Sequence, residues 1–161
     1  MPLRRIRSPE RKRALRIEQE LTVNAPAERV WAFLSDIPTV AQCIPGAEHV
    51  EQIDERHVNA RIKAKVGPIS VTFDCQVVIQ RFDGDTMTAT AEVTGRDARL
   101  GASMRATMEM VLVPNGDSTI LHLVTEANLA GKIAQYGHGI IRQRANAMLE
   151  EFGRCVQSRL G

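Results

Sequence analysis

The sequence predicts an α+β fold in which a curved antiparallel sheet of about seven strands wraps around one long C-terminal helix. Three observations support this prediction. Apolar and polar residues alternate through most of residues 58–129, two short helical patterns follow the first strand, and an apolar stripe with helical spacing runs from about Lys132 to Leu160. A sheet and a helix that each have one apolar face bury those faces against each other, so the elements form a single layered domain.

The N-terminal third predicts one strand followed by two short helices. Ile17, Leu21 and Val23 alternate with polar residues, as in a half-buried strand. The next stretch, NAPAERVWAFLSD, changes to helical spacing after Pro26, which favours a first helical turn. Proline and glycine then interrupt IPTVAQCIPGAE, which predicts a second short helix that ends in a turn.

Residues 58–129 predict amphipathic strands joined mostly as a meander, with turns at Gly67–Pro68 and at the DGD of residues 83–85. The predicted inner rows carry no charged residue and are rich in small or flexible side chains. These are alanine at positions 60, 64, 89, 91, 106 and 127, and methionine at positions 87, 104, 108 and 110. Such walls leave room for a ligand and adapt to its shape, although methionine rows are also typical of an ordinary core.

The C-terminal pattern predicts a helix of about 28 residues, which spans roughly 42 Å and crosses the whole sheet. Gly137 and Gly139 lie inside this pattern, where each glycine costs about 1 kcal/mol relative to alanine. We expect Gly137 to face the sheet, where the missing side chain either makes room for a ligand or allows tight packing. Gly139 is expected to point to solvent.

Residues 1–16 form a basic N-terminal arm with seven Arg or Lys residues and one Glu, whereas residues 17–161 carry 14 basic and 18 acidic residues. The charge and the lack of apolar periodicity predict a disordered arm before a domain over residues 17–161. The arm is suited to peripheral contact with an anionic membrane surface, and an inert solvated terminus is the alternative. We expect no nucleic-acid partner.

The three cysteines, Cys43, Cys75 and Cys155, form no CxxC motif and have no histidine nearby in ligand spacing. They therefore predict free thiols in a reducing compartment, with neither a disulfide framework nor a metal site. No apolar run approaches a membrane span, and no signal-peptide core follows the basic start. We expect a soluble cytoplasmic protein that contacts the inner membrane face at most peripherally.

Four stretches resemble a known family. VWAFLSD, CIPGAE, VGPISVTF and LAGKIAQYGHGII, at residues 30–36, 43–48, 66–73 and 129–141, are similar to the CoxG family of carbon monoxide dehydrogenase proteins. That family lies within the START and Bet v 1-like (SRPBCC) superfamily, whose fold is called helix-grip. The likeness covers about residues 17–157, and it excludes the basic arm. The chain also ends with the long helix, without the linker and hydrophobic tail that some relatives carry as an anchor.

The resemblance implies a cavity between sheet and helix that holds an elongated apolar molecule, a quinone or a lipid, without covalent attachment. The implied partner is a molybdenum hydroxylase of the carbon monoxide dehydrogenase type, which the protein would link to the membrane quinone pool. The predicted cavity residues are Phe33, Val66, Phe73, Met87, Ala89, Met104, Ala106, Met108, Leu129, Ile133, Tyr136, Gly137, Ile140 and Ile141.

Two alternatives remain open. The protein could be an assembly or recruitment factor for that enzyme without a functional ligand, or an enzyme similar to the aromatic and polyketide cyclases of the superfamily. Catalysis needs a titratable group or an activated nucleophile in the cavity. The inner rows offer only Cys75 and Thr125, and the predicted positions of the four histidines lie outside the cavity. Asp97, with Arg96 and Arg99, is expected on a solvated turn at the rim.

Overall fold

A computed structural model describes residues 14–160, which form seven strands, three α-helices and one 3-10 segment. The strands are β1 (Leu15–Val23), β2 (Ala47–Gln52), β3 (His57–Val66), β4 (Ile69–Asp83), β5 (Thr88–Asp97), β6 (Ala102–Asn115) and β7 (Ser118–Ala130). The helices are α1 (Ala27–Ser35), α2 (Ile37–Ala41) and α3 (His138–Leu160), and the 3-10 segment is Gly131–Gln135. No helix of this part of the chain is long and apolar enough to cross a membrane.

All strands form one antiparallel sheet in the order β1-β7-β6-β5-β4-β3-β2, which confirms the predicted α+β helix-grip fold. The first strand closes the sheet beside the last one, with Leu15 opposite Ala127 and Val23 opposite Thr119. The sequence did not single out β2 because this strand is short, carries charged residues and is interrupted by a register shift between Glu48 and Glu51.

Two apolar clusters occupy opposite ends of the concave face of the sheet. The first cluster joins α1 and the end of α3 to β6 and β7 through buried residues that include Val30, Leu112, Leu121 and Val156. The second cluster joins β3, β4 and β6 to the 3-10 segment. Its buried members are Val66, Val71, Phe73, Cys75, Ala102 and Ile133. The core is therefore divided along the length of α3.

The long helix begins at His138, so the prediction of a continuous helix from about Lys132 is wrong. Gly131 adopts a left-handed backbone (φ +79°) and packs so closely on Gly101 that a Cβ there would overlap the Gly101 carbonyl oxygen. This turn directs the chain from β7 into the 3-10 segment. Gly137 lies just before α3, where its carbonyl oxygen accepts the Ile140 amide at 3.1 Å. It is therefore a junction residue outside the helix interior.

The sheet begins two residues earlier than the predicted domain boundary. Leu15 is 1% exposed and Arg16 pairs with Glu126 at 3.2 Å, so both residues belong to β1 rather than to an arm. The remainder of the predicted arm, residues 1–13, lies outside the described residues.

Cys43 and Cys155 form a disulfide, so the prediction of three free thiols is wrong. The two residues are 112 positions apart in the chain, and only the fold brings the turn after α2 against the last turns of α3. Cys75 alone of the three cysteines is free, and it is buried. Cysteine usage therefore no longer supports a reducing compartment.

Candidate functional site

Between the two clusters the concave face carries a central strip of small or flexible side chains. Its members are Ala91, Ala106, Met108, Thr125 and Ala127, which adjoin one another across β5, β6 and β7. None of them belongs to either cluster. Ala91, Met108 and Thr125 remain partly accessible although strand alternation points them towards α3. These three residues keep some accessible surface, whereas Ala106 and Ala127 are buried.

The side of α3 above the central strip carries a charged residue. Ile141 packs against the second cluster and Phe152 against the first, and helical spacing places Arg144 and Met148 between them on the same side. Arg144 is only partly exposed, and its Nε atom is buried without a hydrogen-bond partner within residues 14–160. The prediction that the inner rows carry no charged residue concerned only the strands. The same i, i+3, i+7 spacing on the helix could have identified Arg144.

The predicted cavity residues fall into four groups. The second cluster, or its immediate packing shell, contains Val66, Phe73, Met104, Leu129, Ile133, Tyr136 and Ile141. Phe33 and Met87 pack in or against the first cluster, while Ala89, Ala106 and Met108 lie on the inner face of the strands between the two ends. Met87 lies in the turn before β5 with φ 52°, although the sequence placed it on that strand. Gly137 and Ile140 are exposed beyond the second cluster.

The C-terminal half of α3 is fixed to the rest of the fold, and we call this the clamped end. Besides the disulfide, the Asn24 amide donates to Gln157 Oε1 at 2.7 Å, and Arg29 donates to the Leu160 carbonyl at 2.9 Å. Gly153 is buried against β1, where a Cβ would overlap Leu21 Cδ1.

The junction of residues 136–140, which we call the open end, is much more exposed. Ile140 is 40% exposed, and a Cβ added at Gly137 or Gly139 would meet no atom within 4 Å among the described residues. Tyr136 is half-buried, with its ring 3.2 Å from the position that a Cβ of Gly67 would occupy. The turn between β3 and β4 therefore forms one wall of the open end.

The titratable groups near the concave face do not form a catalytic arrangement in the described part of the chain. Burial raises the pKa of the Cys75 thiol to about 11, which keeps it protonated and weakly nucleophilic. Asp97 is 4% exposed rather than on a solvated turn, and it accepts the Thr72 and Leu100 amides at 2.8 and 3.1 Å. The Thr72 hydrogen bond is the main cause that lowers the Asp97 pKa. No group of His, Cys, Asp and Glu residues in 14–160 could hold a metal ion.

The histidines lie away from the central strip. His57 lies 2.8 Å from Asp54, and His122 lies 3.5 Å from Glu20. His138 is exposed at the start of α3. His49 is exposed on β2, so the predicted outward positions of the histidines agree with the fold.

A polar groove of about 1040 Å³ lies on the outer face of the sheet, away from α3. Its walls carry the outward side chains of β3 to β7, including Arg61, Arg96 and Arg105. Asp74 lies in the same groove and pairs with Arg61 at 2.9 Å. The groove is cationic, and its surface is chemically unlike the concave face.

Solved structures share this architecture. A conserved protein from Geobacillus kaustophilus superposes with a TM-score of 0.82 at 20% identity, over 91% of this chain and 95% of its own. A START superfamily protein from Mycobacterium smegmatis gives 0.65 at 14% identity, over 90% and 96%. Norcoclaurine synthase from Thalictrum flavum gives 0.60 at 18% identity, over 98% and 94%. At these identities the likeness shows the fold. No curated protein sequence matches the chain significantly.

A curved antiparallel sheet with a long C-terminal helix is the helix-grip fold, which the START superfamily protein from Mycobacterium smegmatis shares. The family model that describes CoxG, the G-type subunit of carbon monoxide dehydrogenase, matches residues 20–161. The chain therefore belongs to the CoxG family. This membership associates it with an enzyme of the carbon monoxide dehydrogenase type, and the fold is one suited to ligand binding.

Proposed function

We propose that this protein is a non-enzymatic carrier that holds a quinone or a similar lipid between its sheet and α3. One observation carries the proposal. Three residues of the central strip, which strand alternation places on the inner face, stay partly accessible, and an apolar molecule held between the sheet and α3 would bury this surface. The clusters on either side would contact the rest of an elongated molecule.

The open end is the proposed entrance. Ile140 and Gly137 are exposed there, and the nearby second cluster supplies an apolar path to the central strip. β1 starts at this same end, because Leu15 lies opposite Ala127 near the end of β7. The described chain therefore starts beside the proposed entrance, and contact of the basic N-terminal sequence with an anionic membrane would bring this entrance to the quinone pool.

We further propose that the carrier serves a molybdenum hydroxylase of the carbon monoxide dehydrogenase type and that it works at an anionic membrane face. Family membership supports the association with the enzyme. The high Cys75 pKa and the use of Asp97 by backbone amides both favour binding over catalysis.

Ligand extraction tests the carrier directly. Organic extraction of purified protein should release a stoichiometric isoprenoid or lipid. A quinone at 100 times its Kd should stabilise the protein by about 2.7 kcal/mol. For a chain of this size that corresponds to a rise in Tm of roughly 5–10 °C. The carrier proposal fails if nothing is extracted and neither quinones nor lipids raise Tm.

A pair of variants on β5 locates the binding surface. Ala91→Phe should occupy space above the central strip and reduce quinone binding, because Ala91 is partly accessible on the inner face. Thr94→Phe is the matched control, since Thr94 is exposed and lines the outer groove. Equal loss of binding in both variants would contradict a site on the concave face.

The outer groove supports a second candidate, a recruitment factor. Three arginines against one aspartate in a groove of about 1040 Å³ suit an acidic surface of a partner enzyme. A protein with this role would bind the partner enzyme equally well with and without extractable ligand. Charge reversal by Arg96→Glu and Arg105→Glu would then abolish partner binding while leaving quinone binding intact.

A further inference from the structure

Arg144 has an unusual environment for an arginine. The residue is partly buried, helical spacing places it on the side of α3 that carries Ile141 and Phe152, and no protein group in residues 14–160 accepts a hydrogen bond from its Nε atom. A buried donor without a partner destabilises the fold, and such donors are rare in folded proteins. The position therefore suggests a role besides stability.

The surrounding residues offer no internal partner for this charge. The neighbours of Arg144 one helical turn away in each direction are Ile140, Ile141, Ala147 and Met148, none of which has a carboxylate. Arg144 takes part in no ion pair within the described chain. The central strip, which lies between the clusters that Ile141 and Phe152 contact, offers only alanine, methionine and threonine side chains.

The geometry points to Arg144 as the group that binds the polar head of the carried ligand, and this inference rests on the proposed carrier function. The ligand class is an elongated apolar molecule with a hydrogen-bond acceptor oxygen at one end. Arg144 would donate to that oxygen above the central strip. The apolar tail would lie along the second cluster towards the open end.

A quinone carbonyl and a fatty-acid carboxylate both provide such an oxygen, and three substitutions distinguish them. Arg144→Met removes the donor and keeps an apolar stem. Arg144→Gln keeps a neutral donor, and Arg144→Lys keeps the positive charge. Arg142→Met is the matched control, because Arg142 is exposed on the same helix.

The experiment measures the affinity of each variant for decylubiquinone, for oleate and for a linear hydrocarbon of similar length. Arg144→Met should lower affinity for an oxygen-bearing probe on the order of 10- to 100-fold, as expected for loss of a hydrogen bond from a charged donor. Hydrocarbon affinity should stay within the range of Arg142→Met, and Tm should not fall below it, because Arg144→Met removes a buried donor that has no partner in residues 14–160. Retention by Arg144→Gln identifies a carbonyl head, whereas retention by Arg144→Lys alone identifies a carboxylate.

Two results would overturn the inference, and they have different meanings. If Arg144→Met binds both oxygen-bearing probes as tightly as Arg142→Met, then Arg144 does not recognise the head, while the carrier function stands. If the wild-type protein binds none of the three probes, the inference and the carrier function fail together.

Discussion

The two ends of α3 are attached to the sheet in contrasting ways. At the clamped end a disulfide, the Asn24–Gln157 hydrogen bond and the Gly153–Leu21 contact hold the helix against its surroundings. At the open end two glycines lie in open space and Ile140 is exposed. A helix fixed at one end can move most at the other. The proposed entrance is therefore at the open end, where a ligand could enter while the clamped end stays attached to the sheet.

Among the changes that test the difference between the two ends, loss of the disulfide should lower stability most. It closes a loop of 112 residues, for which the chain-entropy account expects about 4–5 kcal/mol, and native disulfides typically contribute 2–5 kcal/mol. Cys43→Ser with Cys155→Ser should therefore lower Tm strongly in non-reducing thermal melts. Cys75→Ala serves as the thiol control. A native thiol count of three, together with a Tm insensitive to reductant, would contradict the clamp and restore the argument for a reducing compartment.

The Gly153–Leu21 contact should give the next largest effect. Gly153→Ala forces a methyl group into Leu21 and should lower the free energy of unfolding by about 1–3 kcal/mol, measured by urea denaturation. In a Leu21→Ala background the same change should be neutral or stabilising, because the space is then available. Gly139→Ala is the open-end control and should stabilise by up to about 1 kcal/mol. Equal effects at Gly153 and Gly139 would remove the distinction between the ends.

Asp97 tests how the open end is supported, because its turn between β5 and β6 precedes Gly101, on which Gly131 packs. The pKa of Asp97 is lowered in the folded state, mainly by the Thr72 amide. The carboxylate therefore stabilises the fold above the unfolded pKa of about 4, and this contribution is lost as pH falls through the lower folded value. Asp97→Asn should cost about 1–2 kcal/mol at pH 7. The urea midpoint of this variant should vary less than that of wild type between pH 7 and 3. If the two midpoints change equally with pH, the Asp97 carboxylate does not stabilise the fold.

Deleting residues 1–13 should have the smallest effect on stability. The deletion leaves Leu15 and the Arg16–Glu126 pair in place, whereas removal of 1–16 would also remove a buried leucine. We expect an unchanged Tm and weaker binding to phosphatidylserine vesicles at low salt, since each basic residue near the surface contributes about 1 kcal/mol. Vesicle co-sedimentation measures this binding. Equal binding by the full-length and truncated proteins would favour the alternative that the N-terminal sequence is inert.

Much of the fold could be predicted because its signals are local. Alternation along residues 58–66 and 104–112 places alternate side chains on opposite faces of a strand, and the turn residues delimit the hairpins. The fold class and the family resemblance both follow from such short-range patterns. β2 was not predicted because a short polar strand with a register shift lacks such a local pattern.

The sequence by itself thus determined the order of the elements, the inner rows of the sheet and the family. Tertiary structure decided which cysteines meet, that Gly153 rather than Gly137 packs closely on the sheet, and that the Arg144 Nε atom is buried without a partner in residues 14–160. The physical reason is distance along the chain. Local patterns report the period of one element, whereas these contacts join α3 to segments far away in the chain, and no local period encodes which residue meets which partner.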